Sequence, residues 1–156
     1  MRMTLHTDYA LRTLIYLATR SDEQCTVNDV AEAYQLSRNH LLKVAQTLRD
    51  LGFVETTRGR TGGIRLARPS GEIVLGALVR ATEEEFSLAE CMQAQGRPCA
   101  ISPACHLKGV LHEALAAFLA VLDRYTLADI AMDRAILGPL LGIDVEAPLE
   151  RGTHAW

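Results

Sequence analysis

The sequence contains no hydrophobic run long enough to cross a membrane, since the apolar stretch near its start, YALRTLIYLA, is short and includes Arg12. Its first residues also lack the basic-then-apolar layout of a signal peptide. We therefore expect a cytoplasmic protein with no membrane partner. In that reducing compartment, cysteines close together in the chain bind metal or do redox chemistry more often than they form structural disulfides.

Signals of enzymatic activity are missing as well. The glycines of RGRTGG fall in a predicted hairpin, and no helix start follows them as a nucleotide-binding loop requires. His106 directly follows Cys105, but neighbours on a helix point about 100° apart and make a poor nucleophile–base pair. We predict that the protein is not an enzyme. An enzyme or a pure protein-interaction module on the same scaffold is the alternative from another class.

The composition is that of an ordinary globular chain of 156 residues, 49% hydrophobic and 22% charged. Its charge is uneven. Residues 37–68 contain seven basic and two acidic side chains, a net charge of +5. The whole chain has a net charge of −3, so the residues outside this segment carry −8. A local basic face is compatible with a specific DNA site, whereas the overall acidity argues against indiscriminate nucleic-acid binding.

Capping residues and apolar periodicity predict three helices in the first third of the chain. Thr7 would cap a helix over 8–18, and a variant capping box at Thr26 would open a short helix ending near Tyr34. Ser37 would cap a third helix over 38–51, which Gly52 ends. One face of that helix is apolar, with Leu41, Val44, Ala45, Leu48 and Leu51.

A β-hairpin follows, with strands near 53–57 and 64–66 and the glycine-rich turn between them, and then a short helix over about 75–82. Two short helices, a third helix and a hairpin form the pattern of a winged helix-turn-helix, in which the third helix enters the major groove. The predicted fold class is therefore mainly α with a small β-hairpin: a winged helix-turn-helix plus a long dimerisation helix.

Candidate DNA contacts lie on the third helix and on the hairpin. Asn suits adenine and Arg suits guanine, so the first turn of the helix should read base edges. The remaining basic side chains should contact phosphates or the minor groove. The predicted DNA-binding residues are Ser37, Arg38, Asn39, His40, Lys43, Arg58, Arg60 and Arg65.

Ser102-Pro103 predicts the start of a long helix that continues to about Asp123, roughly 30 Å. Its apolar stripe is wider than one small domain can cover, so we predict a homodimer that presents two third helices to a palindromic double-stranded operator. Thr126 would cap a final short helix. The predicted domains are the winged unit over 1–82, the cysteine loop and dimerisation helix over 83–132, and a flexible acidic tail over 133–156.

Three of the four cysteines, Cys91, Cys99 and Cys105, fall within fifteen residues, separated by seven and then five residues. They could hold an iron–sulfur cluster, bind zinc, form a redox disulfide, or be one free thiol and two bystanders. The absence of CxxC knuckles disfavours zinc, and a disulfide leaves one thiol unexplained. A cluster is favoured because thiolates are its usual ligands. The fourth ligand remains open among Cys25, Asp8, Glu85, His106 and His112.

The stretches TDYALRTLIYLA, LSRNHLLKVAQTLRDLGFVETTRGRTGGIRL, the three-cysteine loop, CHLKGVLHEAL and RYTLADI resemble the NsrR-type nitric-oxide-sensing repressors of the Rrf-type winged-helix regulators. The resemblance covers about residues 1–130. Related regulators of cluster assembly place a histidine three residues after the third cysteine, where this chain has Lys108, which disfavours that alternative.

The resemblance implies a homodimeric repressor whose iron–sulfur cluster, 4Fe-4S in preference to 2Fe-2S, is held by Cys91, Cys99 and Cys105. It implies that Asp8 supplies the fourth ligand from the opposite subunit, and Arg12, four residues on, could steady that carboxylate. Nitrosylation of the iron by nitric oxide would break the Asp8 link and release operator DNA. The alternatives are an iron- or redox-sensing regulator of the same fold, or a zinc- or thiol-switch DNA-binding protein.

Overall fold

The computed structural model describes residues 3–20, 24–57, 59, 62–93 and 99–144. In these ranges the chain forms helices α1 (Leu5–Arg20), α2 (Val27–Tyr34) and α3 (Arg38–Asp50), strands β1 (Val54–Thr56) and β2 (Ile64–Leu66), and helices α4 (Leu75–Thr82), α5 (Leu107–Leu122), α6 (Leu127–Ile130) and α7 (Arg134–Leu140). This confirms the predicted class, mainly α with a small β-hairpin. Among the described helices, none has the length and apolarity to traverse a bilayer.

Helix α1 begins at Leu5, earlier than the sequence predicts. The Thr4 hydroxyl accepts a hydrogen bond from the Thr7 amide at 3.3 Å, which is the contact that an N-cap makes with the first turn. Thr7, the predicted cap, is instead fully buried inside the helix. The prediction was wrong because both threonines can cap, and only packing decides which one does.

The two helices that follow agree closely with their predictions. Thr26 forms the predicted capping box, with its hydroxyl accepting from the Asp29 amide and its own amide donating to the Asp29 carboxylate. Ser37 occupies the N-cap of α3 but makes no side-chain capping bond, and Gly52 follows the helix with a φ of +73°. Four of the five predicted apolar residues of α3 are buried, whereas Leu51 is exposed because the helix ends there.

The hairpin pairs β1 with β2 in antiparallel register, with Val54 opposite Leu66 and Thr56 opposite Ile64. A third segment joins this small sheet, because Cys25 exchanges backbone hydrogen bonds with Ile64 at 2.7 and 3.1 Å. Cys25, which lies shortly before α2, is thereby fixed to the turn end of the hairpin.

Helix α1 lies at the centre of the fold and contacts α3, α4, α6, α7 and β2. Its inward side chains Ala10 and Leu14 are fully buried, and Leu41 and Leu48 of α3 are buried in the same hydrophobic core. A displacement of α1 would therefore disturb most other elements.

Helix α5 begins later than predicted. Ser102-Pro103 opens a short 3₁₀ turn, Ser102–Ala104, and the α-helix starts only at Leu107. At about 1.5 Å per residue its 16 residues span about 24 Å. Its C-terminal end is tied to α4 by a bidentate ion pair between Arg80 and Asp123, with N–O distances of 2.6 and 2.7 Å.

Residues 134–143 correct the prediction of a flexible acidic tail over 133–156. Arg134–Leu140 forms α7, which contacts α1, and Ile143 after it is buried in the main core. The Arg134 Nε donates to the Thr19 carbonyl at 2.9 Å. Residues 145–156 of that predicted tail lie outside the described residues.

A substitution at Gly63 tests how closely the hairpin packs against Cys25, in the segment before α2. A methyl group added there would lie 2.6 Å from the Cys25 carbonyl oxygen, which is backbone and cannot rotate away. We expect Gly63→Ala to destabilise the protein by about 1–3 kcal/mol, as overpacking does. Urea unfolding checks this. Gly71→Ala, whose added methyl meets nothing within 4 Å, is the control. Equal midpoints for the two variants would contradict the expectation.

Candidate DNA interface and cysteine site

The first turn of α3 is an exposed polar surface. Arg38, Asn39 and His40 are all exposed, as are Ser37 before them and Lys43 one turn later. The first turn contains no acidic residue. Unpaired amide groups at a helix N-terminus attract phosphate, so both the backbone and the side chains of this turn favour DNA. The structure thus brings together the five predicted contacts on this helix.

One of the predicted hairpin contacts, Arg65, is described by the structure, and it already has an acidic partner. Arg65 on β2 is exposed and pairs across the strands with Glu55, at 2.8 and 3.1 Å. An exposed pair of this kind contributes little, about 0–1 kcal/mol, so a phosphate can replace Glu55. Arg58 and Arg60, the other two predicted hairpin contacts, lie outside the described residues.

Two basic residues of the same region have structural partners. Arg68 donates to the Gly52 carbonyl at 2.9 Å and lies over the Phe53 ring at 5.1 Å, which fixes the turn after α3. Arg49 pairs with the adjacent Asp50 at 2.7 Å. The local excess of positive charge therefore overstates the number of side chains available to DNA.

The three clustered cysteines are free thiols that lie between α4 and α5 in the chain. Cys91 lies in the 3₁₀ turn Glu90–Met92, Cys99 is exposed, and Cys105 follows the turn Ser102–Ala104. Over the described ranges of one chain, no three His, Cys, Asp or Glu side chains come together as a metal site would require. The donor set nevertheless fits an iron–sulfur cluster chemically, since three accessible thiols precede the same helix.

Asp8 lies on the first turns of α1 and forms the predicted pair with Arg12, at 3.0 Å. This confirms the ion pair itself. Both side chains remain partly exposed, with 35% and 41% of their surfaces accessible, so the carboxylate can be approached from outside the chain. Arg12 also lies 5.8 Å from the centre of the Tyr34 ring, which orients the guanidinium.

Cys25 differs from the other cysteines. It is buried beside Ile64 at the turn end of the hairpin, and burial, with a smaller effect from nearby Asp29, raises its pKa to about 12. A thiol of that pKa stays protonated at neutral pH and is a poor metal ligand. Cys25 is therefore a small core residue, as isolated cysteines commonly are.

Helix α5 presents an uncovered apolar surface. None of its residues is buried, and Leu107 and Val110 are 60% and 59% exposed. Apolar side chains in this number are rarely left in water on one helix, and exposed surfaces of this kind are typical of protein–protein contacts.

Sequence reasoning missed several contacts around these sites. The Tyr9 ring on α1 lies 6.4 Å from the His40 ring on α3, and Glu83 accepts hydrogen bonds from the Thr4 amide and hydroxyl. Leu42 is 41% exposed on α3, where an apolar side chain could meet a thymine methyl group. The partners of the first two contacts are far apart in sequence, so no local pattern could reveal them.

A helix with an exposed polar first turn, followed by a two-stranded hairpin, defines the winged helix-turn-helix class of DNA-binding proteins. Residues 3–133 match the profile of Rrf2, described as an iron-dependent transcriptional regulator. The chain belongs to the Rrf2 family, and it is a DNA-binding transcriptional regulator.

Curated relatives and solved structures agree with this assignment. The chain is 52% identical to the HTH-type transcriptional regulator NsrR of Geobacillus kaustophilus and 49% identical to NsrR of Bacillus subtilis, in each case over 90% of this chain and 97% of the relative. The structure of CymR, the global cysteine regulator of B. subtilis, superposes with a TM-score of 0.66 at 23% identity, covering 85% of this chain and 97% of that one. That likeness shows a shared fold, and it confirms the predicted winged-helix class.

Thiol reactivity tests whether Cys25 is buried and unreactive while the other three cysteines are accessible. Its pKa is raised from 9.0 to about 12, so its thiolate fraction at a given pH falls roughly a thousand-fold. In metal-free native protein we expect Cys25 to react with a thiol reagent only after denaturant is added. Cys25→Ala is the matched control, and it should leave the native fast phase unchanged. A smaller fast phase in that variant would show that Cys25 is accessible.

Proposed function

We propose that this chain is a cytoplasmic, non-enzymatic homodimeric repressor that binds a palindromic operator and releases it in response to nitric oxide through an iron–sulfur cluster. The observation that carries the proposal is the exposed first turn of α3, in a chain about half identical to regulators named NsrR. Operator binding before and after treatment with nitric oxide tests it.

DNA recognition is assigned to the first turn of α3 and to the hairpin. Arg38 and Asn39 have the donor and acceptor groups that read guanine and adenine in the major groove. Lys43 and Arg65, with Arg58 and Arg60, supply positive charge for phosphates, and Ser37 and His40 complete the predicted surface. Affinity should therefore fall as salt concentration rises.

Dimerisation is assigned to α5. Its apolar side chains are uncovered in the single chain, and pairing two such helices would remove them from water. A two-fold pair also matches a palindromic operator, because each copy presents one α3 to one half-site. The Arg80–Asp123 pair connects α5 to α4 in each copy, so the dimer contact is joined to the winged unit.

Cluster binding is assigned to Cys91, Cys99 and Cys105 of one chain and to Asp8 of the partner subunit. Three thiols precede α5, and Asp8 is partly exposed near the start of α1. When bound, a 4Fe-4S or 2Fe-2S cluster would supply thiolate-ligated iron, which is reactive toward nitric oxide. A carboxylate is a weaker ligand for such iron than a thiolate, so the Asp8 contact would be the easiest to lose.

The residues around Asp8 connect it to the DNA surface. Arg12 holds the carboxylate and also lies beside Tyr34 at the end of α2. Tyr9, next to Asp8 in sequence, lies beside His40 in the first turn of α3. A change in the position of α1 would therefore reach the recognition turn directly, which is the coupling that a regulator requires.

A second candidate is a sensor of iron availability or redox state that uses the same cysteines. The family's description as iron-dependent favours it. The two candidates differ in the stimulus that releases DNA: nitric oxide in the first case, iron depletion or an oxidant in the second. Operator release by a chelator alone, with no response to nitric oxide, would select the second candidate.

Substitution of Arg38 or Asn39 in the first turn of α3 should weaken specific DNA binding. Each good bidentate base contact contributes about 1–3 kcal/mol, so Arg38→Ala or Asn39→Ala should weaken operator binding by roughly five- to 150-fold. Quantitative gel shifts measure this. Arg49→Ala, in the same helix but paired with Asp50, is the control. Unchanged operator affinity in both recognition variants would remove this assignment of α3.

Cysteine variants test the cluster ligands. After anaerobic reconstitution with iron and sulfide, we expect Cys91→Ser, Cys99→Ser and Cys105→Ser each to lose most bound iron, because each removes one thiolate. Cys25→Ala should retain it. Iron and sulfide analysis with the visible absorption spectrum provides the measurement. If the wild-type protein binds only zinc, or no metal, the cluster assignment is wrong and a zinc or thiol switch takes its place.

A further inference from the structure

Helix α3 carries one leucine among the polar and charged side chains of its outer surface. The four buried side chains of the helix, Leu41, Val44, Ala45 and Leu48, form its core face. Leu42 is 41% exposed, and it belongs neither to the core nor to the partly buried side chains packed against the core. Within α3, which the structure describes throughout, it is the one large apolar side chain left exposed.

The neighbours of Leu42 on the helix surface are the candidate DNA contacts. Residues four apart on a helix lie on the same side. Leu42 follows Arg38 by four residues and precedes Gln46 by four, and all three side chains are exposed. Asn39 and Lys43 form the adjacent exposed row. DNA that contacts Arg38 and Asn39 therefore also comes close to Leu42.

The chemistry of a leucine side chain limits what it can contact on DNA. It has no hydrogen-bond donor or acceptor, so it can bind neither a phosphate nor a polar base edge. Among the groups that base pairs display in the major groove, the C5-methyl group of thymine is the apolar one. A G·C pair presents only donors and acceptors there, and covering them with leucine would leave them without partners. A leucine on this surface therefore favours an A·T pair.

The spacing along α3 places such a contact next to the bases that the first turn would read. Four residues rise about 6 Å along a helix, and successive bases of one strand are about 3.4 Å apart. Leu42 can thus reach a base roughly two steps from the one that Arg38 contacts.

We propose that Leu42 is a specificity-determining residue that contacts the C5-methyl group of a thymine in the operator. This inference rests on the proposed use of α3 in DNA recognition, and it adds selectivity at a base pair that the hydrogen-bonding side chains do not read. It depends neither on the cluster nor on nitric oxide.

Deoxyuridine tests the contact, because it pairs as thymine does and lacks only the methyl group. The probe is a duplex that full-length protein, purified without oxygen, selects from a library of random double-stranded sequences. Each thymine of the probe is replaced in turn by deoxyuridine, and binding is measured by fluorescence anisotropy. Burial of one methyl group corresponds to roughly four-fold in affinity, so we expect a loss of about that size at the thymine that Leu42 contacts.

Two leucine variants assign this loss to a side chain. Leu42→Ala should bind the thymine duplex more weakly, and deoxyuridine at the same position should then cost it less than about two-fold, because the coupled contact is already gone. Leu51→Ala is the matched control, since Leu51 is 38% exposed and lies just beyond the C-terminal end of α3. That variant should lose affinity to deoxyuridine as the wild type does. Circular dichroism verifies the fold of both variants.

The possible failures of this inference and of the proposed function differ. If deoxyuridine costs Leu42→Ala as much as it costs the wild type at every thymine, Leu42 reads no methyl group and the inference is wrong. A loss of affinity in Arg38→Ala would then leave the assignment of α3 standing. If neither Arg38→Ala nor Leu42→Ala binds the probe more weakly than the wild type, or if the library yields no enriched sequence, both the inference and the proposed DNA recognition by α3 fail.

Discussion

Helix α5 imposes the constraint on which the proposed mechanism depends. Its 16 residues are rich in leucine, valine and alanine, yet none is buried in the chain. Exposing that surface to water is unfavourable, and the C-terminal end of α5 contacts α4, where Arg80 pairs with Asp123. Gly76 makes this clamp possible, because any side chain there would meet the Asp123 carboxylate. Cys105, the last of the three clustered cysteines, lies two residues before this helix.

Helix α1 carries the residues that the proposed mechanism places opposite the cysteines. It is the central helix of the core, and its outer surface carries Asp8, Tyr9 and Arg12. The same helix thus holds a candidate ligand, contacts the recognition turn through His40, and receives α7 through the Thr19 carbonyl. Helix α1 therefore contacts both the first turn of α3 and the region of the candidate ligand Asp8.

Capping residues and apolar periodicity predicted the helices whose ends depend on neighbouring residues in the sequence. The Thr26 capping box, Gly52 after α3 and the bounds of α4 agree with the sequence, because capping chemistry and apolar period suffice there. Helix α7 was missed because it is stabilised by distant partners, namely the Thr19 carbonyl and α1. The candidate site was predicted residue by residue on α3, whereas the pairing of Arg65 with Glu55 depends on strand register. A fourth ligand from a second chain leaves no spacing signal in the sequence, so the local pattern around the cysteines did not select Asp8.

A mixed-dimer experiment tests the central claim most directly. Asp8→Ala chains and Cys105→Ala chains would be refolded together without oxygen, reconstituted with iron and sulfide, and challenged with a chelator. If Asp8 acts across the dimer, each mixed dimer contains one complete site, so the mixture retains iron that neither variant retains alone. If the mixture retains no more iron than the average of the two variants, then Asp8 and the cysteines do not complete a site across two chains.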